Sequence, residues 1–359
     1  MNTLQLSIPV AVLESLIEAA VLAPSGDNVQ PWRFEFEAES GRIAVCVDEA
    51  RDCSPMNAGQ RMSRIAVGAA VQNILRTAAG NSWDARCEPS PDGSQVLIRF
   101  SNVNGDVLMS DEAIQLRVTN RRQYDGRRVP TEVIRDLAAE TPVLEAAETY
   151  WIVALEQIDR FADLIARADE IMFGSLVMRK AFLANVRFEA NAEAAVEQGL
   201  SLASLELQGA ERAAFRMLPH IPNWLFKLAR IGRTIGRNSA NLVRSASGLC
   251  LVVAADDAPR TDFVAGRAMQ QAWLALTARQ FAVQPMMSLL VLENALQHGL
   301  PELQQSLRDV GVSILAADLN ELVAEIGVGR PAFLMRFGFA AMPSGRTGRL
   351  PVETVLKRN

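Results

Sequence analysis

The sequence predicts an α+β fold laid out in two halves, and three observations carry that expectation. Short runs of alternating apolar and polar residues, joined by glycine turns, recur in the first 110 residues between stretches of helical period. The apolar runs Y-W-I-V-A-L-E at 150–156 and G-L-C-L-V-V-A-A at 248–255 read as buried strands further along, and A-F-L-M-R-F-G-F at 332–339 as a third strand. A long Ala-, Leu- and Glu-rich region, about 158–245, separates the strand candidates of the second half.

Taken in order, residues 9–22 form a helix: Ser7 suits its cap, Pro9 its first turn, and Leu13, Leu16, Ile17, Ala20 and Val21 recur on one face until Pro24. R-F-E-F-E-A and R-I-A-V-C-V-D, joined through E-S-G, make a hairpin over 33–48. A helix at about 59–79 follows, then strands near 83–88 and 95–100 around P-S-P-D-G. Asp111 to Thr119 starts another helix, and V-P-T-E-V-I-R-D-L from Val129 a further one. Y-W-I-V-A-L-E at 150–156 is a strand expected in a buried, central place. The pentapeptides G-A-A-V-Q (68–72) and G-R-A-M-Q (266–270) share G-x-A-x-Q, a weak echo that gains meaning if the halves are related copies.

Composition narrows the function classes. With 359 residues, 49% apolar and 21% charged, the chain can bury a normal core, so disorder is excluded as its dominant state. A net charge of −5 argues against bulk attraction to nucleic acid. The longest apolar run, Leu249–Ala255, is far below the ~20 residues that cross a bilayer. M-N-T-L-Q-L-S-I-P-V has no basic segment of a secretion signal, so the expected compartment is the cytoplasm. Cys46, Cys53, Cys87 and Cys250 contain no C-x-x-C pair and are expected as free thiols. His220 and His298 are the only histidines, too few for a His-rich metal site, and neither is expected to be catalytic. Three lysines stand against thirty-three arginines, which leaves little for Schiff-base chemistry and much for gripping phosphate.

Between Arg212 and Ala255 there is no acid, yet seven basic residues occur, interleaved with Trp224, Leu225, Phe226, Leu228 and Ile231. A solvated face, a cover over an anionic ligand and a membrane-surface helix over Trp224–Arg237 all fit that pattern. Of the three, the membrane surface is the least expected partner.

Two stretches carry chemistry. A-P-S-G-D-N-V-Q-P-W, Ala23 to Trp32, makes a sharp exit from a helix into a polar loop: Ser25, Asp27 and Asn28 bond locally and Gly26 permits close backbone approach. L-R-V-T-N-R-R-Q-Y, Leu116 to Tyr124, places Arg117, Thr119 and Arg121 at the spacing R-x-[ST]-x-[RK] near a helix end. A phosphate cradle and a plain solvated basic patch both fit that spacing.

The first string resembles the A-P-S-x-x-N-x-Q-P-W signature of the nitroreductase family, the flavin-mononucleotide (FMN) oxidoreductases. The second resembles that family's opening motif, which holds the flavin phosphate and precedes an aromatic residue and a V-P-x-E helix start. Tyr124 falls one residue late for that pattern. A-V-Q-P-M-M-S (282–288) resembles the segment facing the flavin ring, with Met287 or Val291 where simple members often carry an acid. G-R-T-G-R-L-P-V-E from Gly345 resembles the basic C-terminal element that reaches the phosphate, through Arg349 first and Arg346 second.

The likeness covers roughly 9–155 and 246–355, and the order of the motifs is reversed relative to simple members. That implies an Acg-like arrangement: two fused nitroreductase-like halves, each a mainly antiparallel sheet flanked by helices. Residues 1–110 would form a first half without its own phosphate motif, and 111–359 a second half with a helical lid. The resemblance implies one FMN per chain, held by Pro24, Ser25, Gly26, Asn28, Arg117, Thr119, Arg121, Pro285, Met286, Met287, Arg346 and Arg349. No catalytic side chain or metal is implied, and Arg61 or Arg64 is expected to put positive charge near the ring. It implies two-electron transfer from NAD(P)H or another reductant to a nitroaromatic, quinone-like or other small acceptor. The alternative is a flavin-sequestering or sensing protein whose lid blocks NAD(P)H. The expected assembly is a monomer imitating the family dimer, or a dimer of such chains.

Overall fold

The computed structural model describes residues 8–37, 40–101, 111–188, 197–207 and 209–358. Helix α1 (Val10–Val21) buries Leu13, Leu16, Ile17 and Ala20. Pro9 stands at its N-cap without a side-chain bond, and the expected cap Ser7 lies outside the described residues. Strands β1 (Trp32–Glu37) and β2 (Arg42–Val47) form the hairpin, with Trp32 opposite Val47. Helix α2 (Arg61–Gly80) and strands β3 (Asp84–Pro89) and β4 (Gln95–Ser101) follow.

Helix α3 (Glu112–Leu116) is shorter than the 111–119 expected. Val118 and Thr119 are β-branched and favour extended backbone. The Asn120 amide donates to the Val283 carbonyl at 2.8 Å, which draws the segment out beside that residue. Helix α4 (Thr131–Glu140) leads to strand β5 (Ala147–Ile152), which lies about three residues earlier than expected because Leu155 already opens the next helix. Strand β5 is an edge strand, half-exposed along its middle, and not the central strand expected.

The insertion is helical: α5 (Leu155–Gly174), α6 (Leu176–Ala184), the two-residue strands β6 (Val186–Arg187) and β7 (Leu200–Ser201), α7 (Gly209–Met217), α8 (Asn223–Leu228) and α9 (Ile231–Arg244). The expected helix over Trp224–Arg237 is two helices, because Arg230 takes a left-handed φ of 51° and breaks the run. Helix α9 buries its small face, Gly232, Gly236 and Ala240, and packs on α5. After β8 (Gly248–Ala254) come α10 (Pro259–Ala278), β9 (Ala282–Pro285), α11 (Ser288–His298), α12 (Pro301–Asp309), α13 (Val312–Ala324), β10 (Arg330–Gly338), α14 (Val352–Val355) and β11 (Leu356–Arg358). The sequence reading has no counterpart for α11 to α13.

The strands make two main sheets, ordered β11-β1-β2-β4-β3 and β5-β8-β10-β9. Leaving aside β11, which runs parallel to β1, both sheets are antiparallel. The connectivity also repeats. Strand, strand, helix, strand, strand reads β1-β2-α2-β3-β4 in the first sheet and β5-β8-α10-β9-β10 in the second, with matching spatial order. Helices α5 to α9 fill the β5–β8 connection and α11 to α13 the β9–β10 connection, where the first sheet has short turns.

The repeated helices α2 and α10 cross at the glycines of the G-x-A-x-Q echo. A Cβ on Gly68 would run into the Phe263 carbonyl oxygen, and a Cβ on Gly266 into that of Ile65. Each contact is the other's mirror, since Gly68 follows Ile65 by the same interval as Gly266 follows Phe263. Beyond the crossing, Gln270 donates to Asn73 Oδ1 at 2.7 Å in a fully buried bond. The main core surrounds this pair and includes Trp32, Phe34, Phe263, Trp273 and Phe337; a second core lies beneath α5, α9, α11 and α13. Among the described residues, no helix is long and apolar enough to cross a membrane.

Candidate functional site

The loop after α1 is held in an uncommon shape. Asp27, Asn28 and Gln30 have φ values of 45°, 58° and 54°, in the left-handed region that Asp and Asn tolerate better than most residues. The Ser25 hydroxyl accepts from the Gln30 amide at 3.0 Å and closes the turn. Asn28 and Gln30 act as clamps. The Asn28 amide donates towards the carbonyls of Glu197, Gly199 and Gly348 at 3.2–3.3 Å, and its oxygen accepts from Arg349 at 3.1 Å. Gln30 donates to the Glu197 carbonyl at 2.5 Å and accepts from the Leu350 amide at 2.9 Å. Two carboxamides thus tie the insertion and the C-terminal loop onto the 23–30 turn.

Two joined cavities open beside this loop, of about 290 and 340 Å³, and share Pro24, Ser25, Asp27, Thr119 and Arg121. The first is an apolar chamber walled by Met56, Met62, Met269, Trp273, Met287 and Phe333 and roofed by Met172, Phe173 and Phe182 of the insertion. Gly26 and Pro285 also line it. The second is cationic, lined by Asn28, Arg117, Arg121, Arg346 and Arg349. Asn28 therefore sits at the same end as Arg117, with its amide spent on the protein. Met286 is the exception among the expected residues. It is buried in the second core, its amide donates to Leu334 at 2.8 Å, and it does not line either cavity.

The arginines owe their places to the end of α1. Arg117 donates to the Leu22 carbonyl at 2.9 Å and lies over the Trp273 ring at 4.7 Å. Arg349 reaches the Leu22 and Ala23 carbonyls at 3.3–3.4 Å. Carbonyls left over at a helix C-terminus favour such cations. Arg346 donates to the Gln115 carbonyl at 2.7 Å, and Arg121 to that of Ser204 at 2.7 Å. Arg117, Arg346 and Arg349 have no carboxylate partner among the described residues, and the buried Nε atoms of Arg117 and Arg349 have no partner there at all. Burial, and then its neighbours Arg349 and Arg346, hold the Arg117 guanidinium well below its ordinary value. Burial, and then Arg346, bring Arg349 down to about 10. A buried Arg117, with the half-buried Arg349 and the exposed Arg346 beside it and no carboxylate partner on any of the three among the described residues, suits an anion.

Arg61 and Arg64 do not supply that charge. Arg64 pairs with Asp262 at 2.7 Å, while Arg61 is enclosed by Asp257, Asp262 and Glu293. Their neighbour Met62 is the side chain that lines the chamber. His298 joins the same network, 3.0 Å from Asp257, and His220 lies on the insertion away from both cavities.

No family model matches the chain. Uncharacterized protein MT1398 of Mycobacterium tuberculosis (strain CDC 1551 / Oshkosh) is 28% identical over 347 residues, which is 94% of this chain and 47% of that protein. The chain thus spans about half the length of this relative. Among solved structures, the FMN-dependent nitroreductase NfnB from Mycobacterium smegmatis, in complex with NADPH, is similar at 16% identity with a TM-score of 0.35. The match covers 68% of this chain and 90% of that one. So loose a likeness carries no weight for the site.

Three of those residues escape the motif reading: Asp27, Asp52 and Asp169 all line the chamber. Burial pushes Asp27 up to about 6, against the opposing Asn185 hydrogen bond and Arg121 charge. Burial also raises Asp52, opposed by the Ser54 amide, and Asp169, opposed by Ser239 and Ser288. Asp27 alone had a sequence signal, its place between Gly26 and Asn28; the other two come from distant elements. The unfolded chain gives up the Asp27 proton near pH 4 and the folded chain near pH 6. Across that window the folded state binds more protons, so stability falls as pH rises and is flat above it. Asp27→Asn is expected to flatten this slope and to stabilise the chain by about 3 kcal/mol at pH 7. Denaturant midpoints measured from pH 4 to 8 check it.

Proposed function

We propose that the chain is an FMN-dependent oxidoreductase of nitroreductase type, transferring two electrons from NAD(P)H to a small nitroaromatic or quinone-like acceptor. One observation carries this reading: an apolar chamber joined to a cationic cavity in which Arg117, Arg346 and Arg349 have no carboxylate partner among the described residues. An apolar ring system with a phosphate tail fits both ends, and the unpartnered Nε atoms suit phosphate oxygens. Arg117, Thr119, Arg121, Arg346 and Arg349 would hold the phosphate. Pro24, Ser25 and Gly26 would lie along one side of the flavin, and Pro285 and Met287 along the other. When bound, the flavin supplies the electron transfer. The protein's part is to orient it and to keep water from the chamber with Met172, Phe173 and Phe182, while Asp27, pushed up to about 6, can take up a proton at the chamber only in mildly acid solution.

The repeated strand order and the reciprocal Gly68 and Gly266 contacts support a tandem origin, with residues 1–110 and 111–359 as two nitroreductase-like halves and α5 to α9 as a lid. One flavin per chain is part of the proposal. The first sheet's short β3–β4 turn closes on the start of α10, where a Cβ on Gly93 would meet Pro259, in the connection that α11 to α13 fill in the second sheet. The purified chain is expected to bind one FMN, more tightly than riboflavin, in a titration followed by flavin fluorescence. Equal affinity for the two, or no binding, would remove the proposal.

The roof favours a second reading, a flavin-holding protein closed to NAD(P)H. Anaerobic mixing with NADPH separates the two, because rapid loss of the visible flavin band requires an open chamber.

A further inference from the structure

The outer face of the insertion carries what neither cavity uses. Trp224 and Leu228 are 67% and 73% exposed, one helical turn apart on α8, with Met217 and Leu225 also exposed beside them. Leu176 and Val177 of α6 add to the apolar surface. Around it stand Lys180, Arg216, Lys227, Arg230, Arg233 and Arg237, all exposed, and none pairs with a carboxylate among the described residues. A groove between α6 and the end of α7 opens into the same face, with apolar walls from Leu183, Phe188 and Ile221 and a basic rim from Lys180, Arg216 and His220.

We propose that this face docks on an anionic phospholipid surface. The charge is the deciding point. The whole chain is net negative at −5, yet 212–255 holds seven basic residues and no acid, and only Arg244 of the seven pairs with a carboxylate among the described residues, so the positive charge is gathered where the large apolar side chains are exposed. Cations at headgroup depth with Trp and Leu below them are what a bilayer interface accepts. A solvated face explains the arginines but not an exposed Trp, Met and two Leu among them. The membrane surface, least expected from sequence, is raised by the exposure of Trp224 and Leu228.

The test uses the 359-residue chain and sedimentation with vesicles, one set of phosphatidylcholine alone and one with a third phosphatidylglycerol. Binding to the second set only is expected, weakening as salt rises. Paired reversal Arg233→Glu with Arg237→Glu, and separately Trp224→Ser with Leu228→Ser, should each weaken it by about tenfold or more. Because these residues are exposed, circular dichroism should be unchanged. Trp224→Phe should keep binding but lose the blue shift of tryptophan emission. No binding to the anionic vesicles, or binding indifferent to both pairs, overturns the proposal. So does a dimer in light scattering that the Trp224→Ser, Leu228→Ser pair splits, which would assign the face to a second copy.

Discussion

Arg117→Met is expected to weaken FMN binding by about two orders of magnitude while leaving riboflavin affinity within a few-fold. The guanidinium is buried, holds the Leu22 carbonyl, and keeps a free Nε among cations that repel it. A charge-assisted contact between such a group and phosphate is worth about 2–5 kcal/mol when one partner is removed. The same substitution should raise the denaturant midpoint of the flavin-free chain, since an uncompensated buried cation is replaced by an apolar side chain of similar length. The two effects have opposite signs, and a purely structural role for Arg117 would give neither the FMN-specific loss nor the gain without flavin. Titrations with FMN and riboflavin, together with unfolding curves of the apo chain, decide it. Equal losses for the two flavins would show that the arginine does not meet the phosphate.

Gly68→Ala is expected to destabilise the chain by about 3 kcal/mol, although alanine is the better helix former. The new methyl group has no soft neighbour to displace, because it meets the backbone of α10 at the Phe263 carbonyl. Gly266→Ala should do the same against Ile65. The double variant should fall short of the sum, since helices already forced apart by one methyl accept the second more cheaply. Denaturant midpoints of the three variants test this, and strict additivity would mean that the two contacts are independent.

The local elements were largely legible in the residues, because period and turn chemistry set them. The 33–48 hairpin, α1 and β8 all follow from patterns within a few residues. Where tertiary pairing intervened, legibility failed. The 111–119 helix ends early because Asn120 is recruited by Val283, and β5 becomes an edge strand because its apolar run says nothing about which neighbours it will have. The site shows the same division. The two motifs contain the residues that meet at the joined cavities. The sequence does not reveal that Asn28 and Gln30 serve as clamps, that Arg61 is surrounded by carboxylates from two distant segments, or that Asp52 and Asp169 face one chamber. Those facts depend on which distant segments arrive. Met286 and Met287 are adjacent and chemically identical, and only the fold sends one to the core and the other to the chamber.

The last strand, β11, leaves the second sheet's half of the chain and completes the first sheet beside β1, carrying Arg346 and Arg349 on the approach. The outer edge of the first sheet and the arginine cradle therefore form only after residues 8–344 have been made. A protease nick anywhere between 339 and 350 would unseat both the edge strand and the cradle at a single stroke.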